Sequence, residues 1–186
     1  MLDEIFGEVE AAMSKAIEAL LRDLAGIRTG RATTTLLDGI RIEYYGQITP
    51  LNQVATISVP EPRLLMIKPW EKGVIPDIEK AIRADAALGL NPANDGTVIR
   101  LPIPELTEER RRELTKVAHN RAEEGRVAVR HARRDGIDLL QEAQKEGEIP
   151  ADDSRHGQDR IQKMTDEFIE KVDQILATKE KEIMEV

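Results

Sequence analysis

The stretch LTEERRRELTKVAHNRAEEGRVAVRHARRDGIDLLQEA, residues 106–143, carries the pattern from which the architecture follows. At about 100° per residue, the turn angle of a helix, Leu114, Val117, Ala118, Ala122, Gly125, Ala128, Val129, Ala132, Leu139, Leu140 and Ala143 fall within one arc of roughly 140°. Arg112, Lys116, Arg126, Arg130, Arg133 and Arg134 gather on the opposite side, with His119 among them. One side is therefore apolar and built largely of small residues, which lets neighbouring helices approach closely. The other is a stripe of guanidiniums. Residues 110–134 hold nine Lys/Arg against three Asp/Glu, a local charge of +6 in a chain whose net charge is -8.

Upstream, Leu2, Phe6, Val9, Met13, Ala16, Leu20, Leu24 and Ile27 recur at steps of four and three. That is a single apolar stripe on a helix of some seven turns, with Gly30 as its expected stop. Downstream, Gly147-Glu148-Ile149-Pro150 breaks the central helix. A last helix then runs from about Asp152 to the end, carrying Ile161, Met164, Phe168, Val172, Ile175, Leu176 and Ile183 on one face. Thr107 is a good N-cap for the central helix. Three long amphipathic helices, two adjacent in sequence and one distant, bury their stripes together as a bundle.

Between them the period changes to two and turn residues multiply. Ile40-Arg41-Ile42-Glu43-Tyr44-Tyr45 alternates and ends at Gly46. Residues 55–59 and 64–68 flank the turn Pro60-Glu61-Pro62 as a hairpin, and Pro76 to Ala87 forms a helix with Ile78, Ala81, Ile82 and Ala86 inward. Asn91 to Gly96 is a turn before a last strand, residues 98–101. This segment is neutral, with eight Lys/Arg against eight Asp/Glu over residues 31–104. The expected fold is α+β: a long antiparallel three-helix bundle from residues 1–30 and 105–186, with residues 31–104 inserted as a small β/α/β domain. The chain crosses between them at Thr29-Gly30-Arg31 and at Pro102-Ile103-Pro104-Glu105, and two such crossings imply a hinge.

Composition narrows the function classes. Charged residues at 33% with aromatics at 3% fit a helix-rich soluble protein packed with Leu, Ile, Val and Ala. With no Cys there is no disulfide, thiolate metal site or Cys nucleophile. The acidic N-terminus lacks the basic region of a signal peptide, and no apolar run of about 18 residues offers a membrane span. The expected home is the cytosol of a bacterium. His119, His131 and His156 show no spacing that sets two imidazoles on one helical face for a metal. Gly26 and Gly30 build no phosphate-cradling loop. The sequence therefore gives no catalytic residue, no metal site and no cofactor.

The arginine stripe points to a polyanion. A charge run is ordinarily a solvated face, but here the rest of the bundle is acidic: residues 1–30 carry -3 and residues 135–186 carry -8. A merely solvated helix balances itself with Glu–Lys pairs one turn apart. The cations are almost all Arg, whose planar fork grips phosphate oxygens in pairs. With few aromatics to stack on unpaired bases, structured RNA is favoured over single strands.

Five motifs then carry a resemblance: Ile27-Arg28-Thr29-Gly30-Arg31-Ala32; Glu43-Tyr44-Tyr45-Gly46 with Pro50-Leu51; Leu88-Gly89-Leu90-Asn91-Pro92; Leu106-Thr107-Glu108-Glu109-Arg110-Arg111; and Arg126-Val127-Ala128-Val129-Arg130 through Arg133-Arg134. In order and over nearly the whole length, the chain resembles the bacterial ribosome recycling factor family. The resemblance implies an L-shaped monomer with no active site of its own. It would bind the post-termination ribosome between the subunits and, with GTP-bound elongation factor G, promote their separation and the release of mRNA and tRNA. It further implies that Arg110, Arg111, Arg130, Arg133 and Arg134 hold large-subunit rRNA near the peptidyl-transferase region. Arg112, Lys116 and Arg126 are secondary candidates, and Arg28 and Arg31, at the hinge motif, have either an RNA contact or a structural role. The family's usual Arg-Asn-aliphatic-Arg-Arg run is here Arg130-His131-Ala132-Arg133-Arg134. Ala132 trims the core without moving the cations, and Gly136 one turn on is expected to loosen the helix by up to about 1 kcal/mol relative to Ala. Two rival functions make distinct predictions. A helical adaptor docking an acidic protein would be indifferent to RNase, and an RNA-cleaving or RNA-modifying enzyme using His119 or His131 would turn over naked rRNA.

Overall fold

The first helix, α1, spans Leu2–Ala25 in the computed structural model, which describes residues 1–27, 29–86 and 88–185. It buries Ile5, Phe6, Val9, Met13, Ala16, Leu20 and Leu24, the stripe legible in the sequence. The helix ends earlier than Gly30. Gly26 keeps right-handed helical angles and caps back to the carbonyl of Leu24, and Gly30 is not among the glycines at positive φ. Ile27 and Thr29 are themselves buried, so the chain leaves the helical path before Gly30 to seat them.

Four further segments up to residue 69 are strands, paired as two hairpins. β1 (Arg41–Tyr44) and β2 (Gln47–Pro50) join through Tyr45 and Gly46, at φ 49° and 78°. Two successive positive φ values make the turn whose twist matches antiparallel strands; β2 itself was not foreseen from its sequence. β3 (Ala55–Glu61) and β4 (Leu64–Pro69) form the second hairpin, but the strand runs on through Pro60 and the turn is Pro62-Arg63. Pro60 is tolerated because β3 is an edge strand with a register shift between Ser58 and Glu61.

α2 (Ile75–Ala84) has Pro76 in its first turn and buries Ile75, Ile78 and Ile82. It is shorter than Pro76 to Ala87: Ala81 is half-buried, Ala86 is exposed beyond its end, and Ala87 lies outside the described residues. β5 (Ala93–Asn94) pairs with β6 (Ile99–Pro102), so the expected turn over Asn91 to Gly96 is partly strand. The reversal narrows to residues 95–98, where Asp95 Oδ1 accepts the amides of Thr97 and Val98 at 2.9 Å each and Oδ2 accepts Arg100 Nη1 at 2.9 Å.

The four-stranded antiparallel sheet has the order β3-β4-β6-β5. Leu65 faces Leu101 and Ile67 faces Ile99 across β4 and β6, all with no exposed surface. The apolar face of α2 joins them in one core with Leu37, Ile42, Leu51 and Val54.

The amides of Val98 and Thr97, and then Arg100, hold the Asp95 carboxyl down at about 2, below its ordinary 3.8. A depressed carboxylate stabilises the fold above its unfolded pKa and loses that contribution as pH falls toward the folded value. Asp95→Asn keeps an acceptor for the amides and removes the charge. The stability gap between wild type and this variant should therefore hold steady above about pH 5 and close between about pH 4 and pH 2. A gap that stays constant through acid would show that Asp95 is not held in this way.

α3 (Glu108–Lys145) is followed by α4 (Ala151–Met184). α3 stops in a paired αL motif: Gly147 adopts φ 78°, its amide reaches Gln144 O at 3.1 Å, and Glu148 N reaches Ala143 O at 2.9 Å. α1, α3 and α4 share a core that includes Phe6, Val9, Met13, Val129, Ala132, Leu140, Ile161 and Phe168. Three glycines fix the register. A methyl built on Gly157 would meet Leu140 and Phe6, one on Gly136 would meet Val9 and Ile161, and one on Gly125 would meet Leu20 and Val172. Numbers rise together along α1 and α4 and fall along α3, so α3 runs antiparallel to both.

The buried line on α3 is Leu114, Ala118, Ala122, Gly125, Val129, Ala132, Gly136, Leu140 and Ala143. It is narrower than the sequence arc. Val117, Ala128 and Leu139 belong to the arc yet are exposed, while Gly136 is in the seam. Gly136 is thus a close-approach residue as well as a weak helix former. The chain separates into two units, one of Met1–Ile27 with Glu109–Met184, the other of the chain between them joined by Glu185.

Candidate nucleic-acid interface

With the small residues of α3 turned into the bundle, its long cationic side chains stand on the outside. The carboxylates around them decide which are available. Arg126 is the least available: its side chain is only 20% exposed, Nε and Nη2 grip Asp173 Oδ1 of α4 at 3.0 and 2.7 Å, and Nη1 reaches Glu123 at 3.1 Å. The Asp173 hydrogen bond is the largest cause raising its pKa above the ordinary arginine value. Arg126, a secondary candidate from sequence, therefore ties α3 to α4. Arg130 Nη1 rests on the other oxygen of Glu123 at 3.1 Å, with its side chain 45% exposed.

Arg133 is half-buried and donates to the neutral Gln162 Oε1 at 3.3 Å. Arg134 and Lys116 are exposed and, among the described residues, make no ion pair. Arg110 pairs with Glu113 at 2.8 Å, Arg111 is half-buried with its Nε shielded, and Arg112 is exposed with a partner of its own. From Lys116 to Arg134 the cationic side of α3 extends about 27 Å at 1.5 Å per residue. Its least compensated part is Arg133-Arg134. His119 meets Glu180 of α4 and His131 meets Asp135 at 3.0 Å, so both have carboxylate partners on the bundle surface.

The crossing residues are differently placed from one another. Arg28 lies outside the described residues. Thr29 is buried, its hydroxyl accepting the Arg31 amide at 3.4 Å, and the Arg31 guanidinium pairs with Glu185 at 2.7 Å. Pro102 ends β6, and Ile103 is buried in the core of the inserted unit with its amide on Arg63 O at 2.8 Å. Glu105 pairs with Arg63. The second crossing, expected to begin at Pro102, therefore starts after Ile103.

Sequence reasoning missed two partners. Glu123 could have been found from its spacing of three and seven residues before Arg126 and Arg130. Asp173 could not, because only the packing of α4 brings it there. A cluster on the inserted unit was also missed: Tyr44 and Tyr45 both donate to Glu71, at 2.9 and 3.0 Å, next to the exposed Trp70. The bond to that carboxylate pushes the Tyr44 hydroxyl up to about 12. Among the described residues no cluster of His, Asp and Glu could hold a metal, and no helix is long and apolar enough to cross a membrane.

The family model described as ribosome recycling factor matches residues 20–184. The ribosome-recycling factor of Syntrophomonas wolfei is 56% identical over the whole of both chains. That of Methylobacterium nodulans is 56% identical over 96% of this chain and 95% of its own. A solution structure of the ribosome recycling factor superposes with a TM-score of 0.80 at 45% identity, covering 100% of this chain and 98% of that one. A second structure, at 46% identity with TM-score 0.69 and full coverage of both chains, models the Thermus thermophilus ribosome recycling factor and the Escherichia coli elongation factor G bound to the E. coli post-termination complex.

Proposed function

Because the chain belongs to the ribosome recycling factor family, we propose that it binds the post-termination ribosome between the subunits and, with elongation factor G and GTP, separates them and frees mRNA and tRNA. The observation that carries this assignment is the segregation of charge: +6 over residues 110–134 in a chain of -8, with none of the excess on the inserted unit. α3 is the anchor. Arg133 and Arg134, with Arg130, Arg110 and Arg111, take phosphate oxygens of large-subunit rRNA near the peptidyl-transferase region, and Arg112 and Lys116 extend the contact. Arg126 serves the bundle instead.

The acidic remainder discourages indiscriminate RNA binding and favours release. The inserted unit is the part that elongation factor G pushes, and the two crossings take up the motion. GTP hydrolysis belongs to that translocase; the factor itself is a cytoplasmic monomer without cofactor or active site. Light scattering of post-termination ribosomes mixed with the protein, elongation factor G and GTP tests this directly. Absence of splitting refutes the function.

The moving part has its own test. The chain contains no native cysteine, so an engineered pair joining the two units forms one defined tether. The oxidised protein should still co-sediment with large subunits but fail to split ribosomes, and reductant should restore splitting. Undiminished splitting by the tethered form removes hinge motion from the mechanism.

A further inference from the structure

Glu123 sits in the middle of the arginine stripe and is used by both of its neighbours. Its Oε2 accepts Arg126 Nη1 and its Oε1 accepts Arg130 Nη1, each at 3.1 Å. Spacings of three and seven residues put all three side chains on one face of α3. Hydrogen bonds from Arg126 and then Arg130 hold the Glu123 carboxyl below its ordinary range, so it is a carboxylate at neutral pH.

The two arginines are not equivalent. Arg126 is 20% exposed and keeps Asp173 as a second, two-pronged partner. Arg130 is 45% exposed, and among the described residues Glu123 is its only ion-pair partner. A carboxylate with one oxygen on each guanidinium presents the same acceptors as two free oxygens of a phosphate.

We propose that Glu123 is an internal competitor for the rRNA phosphate that Arg130 takes, an inference that rests on α3 being the rRNA anchor. In the free protein Glu123 holds Arg130. On the ribosome the phosphate displaces that carboxylate, which stays beside it as a like charge. Exposed ion pairs span the range that makes this exchange lower the affinity by about two- to fivefold. The effect is a weakened grip in a protein that leaves its site after every round, while Arg126, doubly held, keeps the helices locked.

Glu123→Gln keeps the shape and removes the charge, and Asp173 still holds Arg126. Binding to purified large ribosomal subunits should tighten about two- to fivefold in this variant. The gain should vanish when Arg130→Ala is already present. Three results overturn the proposal. If Glu123→Gln binds no tighter while Arg130→Ala weakens binding, the competitor fails and the anchor stands. If the same gain appears in the Arg130→Ala background, only net charge is at work. If Arg130→Ala binds as wild type does, both the competitor and the assignment of Arg130 to the anchor fall.

Discussion

Gly136→Val should destabilise the bundle by about 3 kcal/mol, the upper end of the cost of overpacking a core. A Cβ at this position would fall inside van der Waals contact with Val9 Cγ2 and 3.0 Å from Ile161 Cδ1. Ile161 could turn its terminal methyl aside. Val9 cannot, because it is buried in α1 and a β-branched side chain in a helix has one strongly preferred rotamer. The remaining response is for α1 to back away from α3, which opens the seam on both sides. Gly125→Ala is the matched control: its methyl would meet Leu20 and Val172 at ordinary distances of 3.6 Å and more. There the gain in helix propensity, up to about 1 kcal/mol, should prevail. Urea unfolding followed by helical circular dichroism should thus move the midpoint down for Gly136→Val and up for Gly125→Ala. Equal midpoints for Gly136→Val and wild type would mean that the close approach of α1 and α3 is not a fixed feature of the bundle.

The Arg133→Ala, Arg134→Ala double variant should lose affinity for large subunits by on the order of tenfold per arginine. Hydrogen bonds to charged groups contribute roughly 1.5–3 kcal/mol each, and about 1.4 kcal/mol is tenfold. Its plot of log affinity against log salt should be shallower than wild type by about one for each phosphate contact removed. Arg126→Ala gives the contrast, since this guanidinium faces Asp173 and Glu123 rather than outward. It should lower the stability of the bundle and leave the salt slope as it was. An unchanged slope in the double variant would show that Arg133 and Arg134 touch no phosphate.

These two experiments probe the two sides of one helix, and that helix could be read from residue types and spacing. Leu114, Ala118, Ala122, Val129, Ala132, Leu140 and Ala143 repeat at the helical period, and all are buried. The stripes on α1 and α4 were legible for the same reason, since burial acts on the period itself. Short elements were less so. β2 has no apolar alternation strong enough to announce it, and β3 passes through Pro60 because an edge strand does not need that amide.

The packing of three amphipathic helices, the neutral β/α/β segment that interrupts them and the place where positive charge collects can all be read from residue order. Each follows from a property carried along one local stretch of chain: periodicity, turn chemistry or the count of charges. Which cations face outward uncompensated depends instead on how the helices pack. Asp173 lies 47 residues from Arg126 in sequence, and the packing of α4 on α3 is what turns that arginine from a candidate anchor into an interhelical tie. The same holds for Gly136, a weak point when α3 is considered alone and a close-packing point once Val9 and Ile161 are set against it. Partners distant in the chain are selected by the fit of whole surfaces, which no local pattern records.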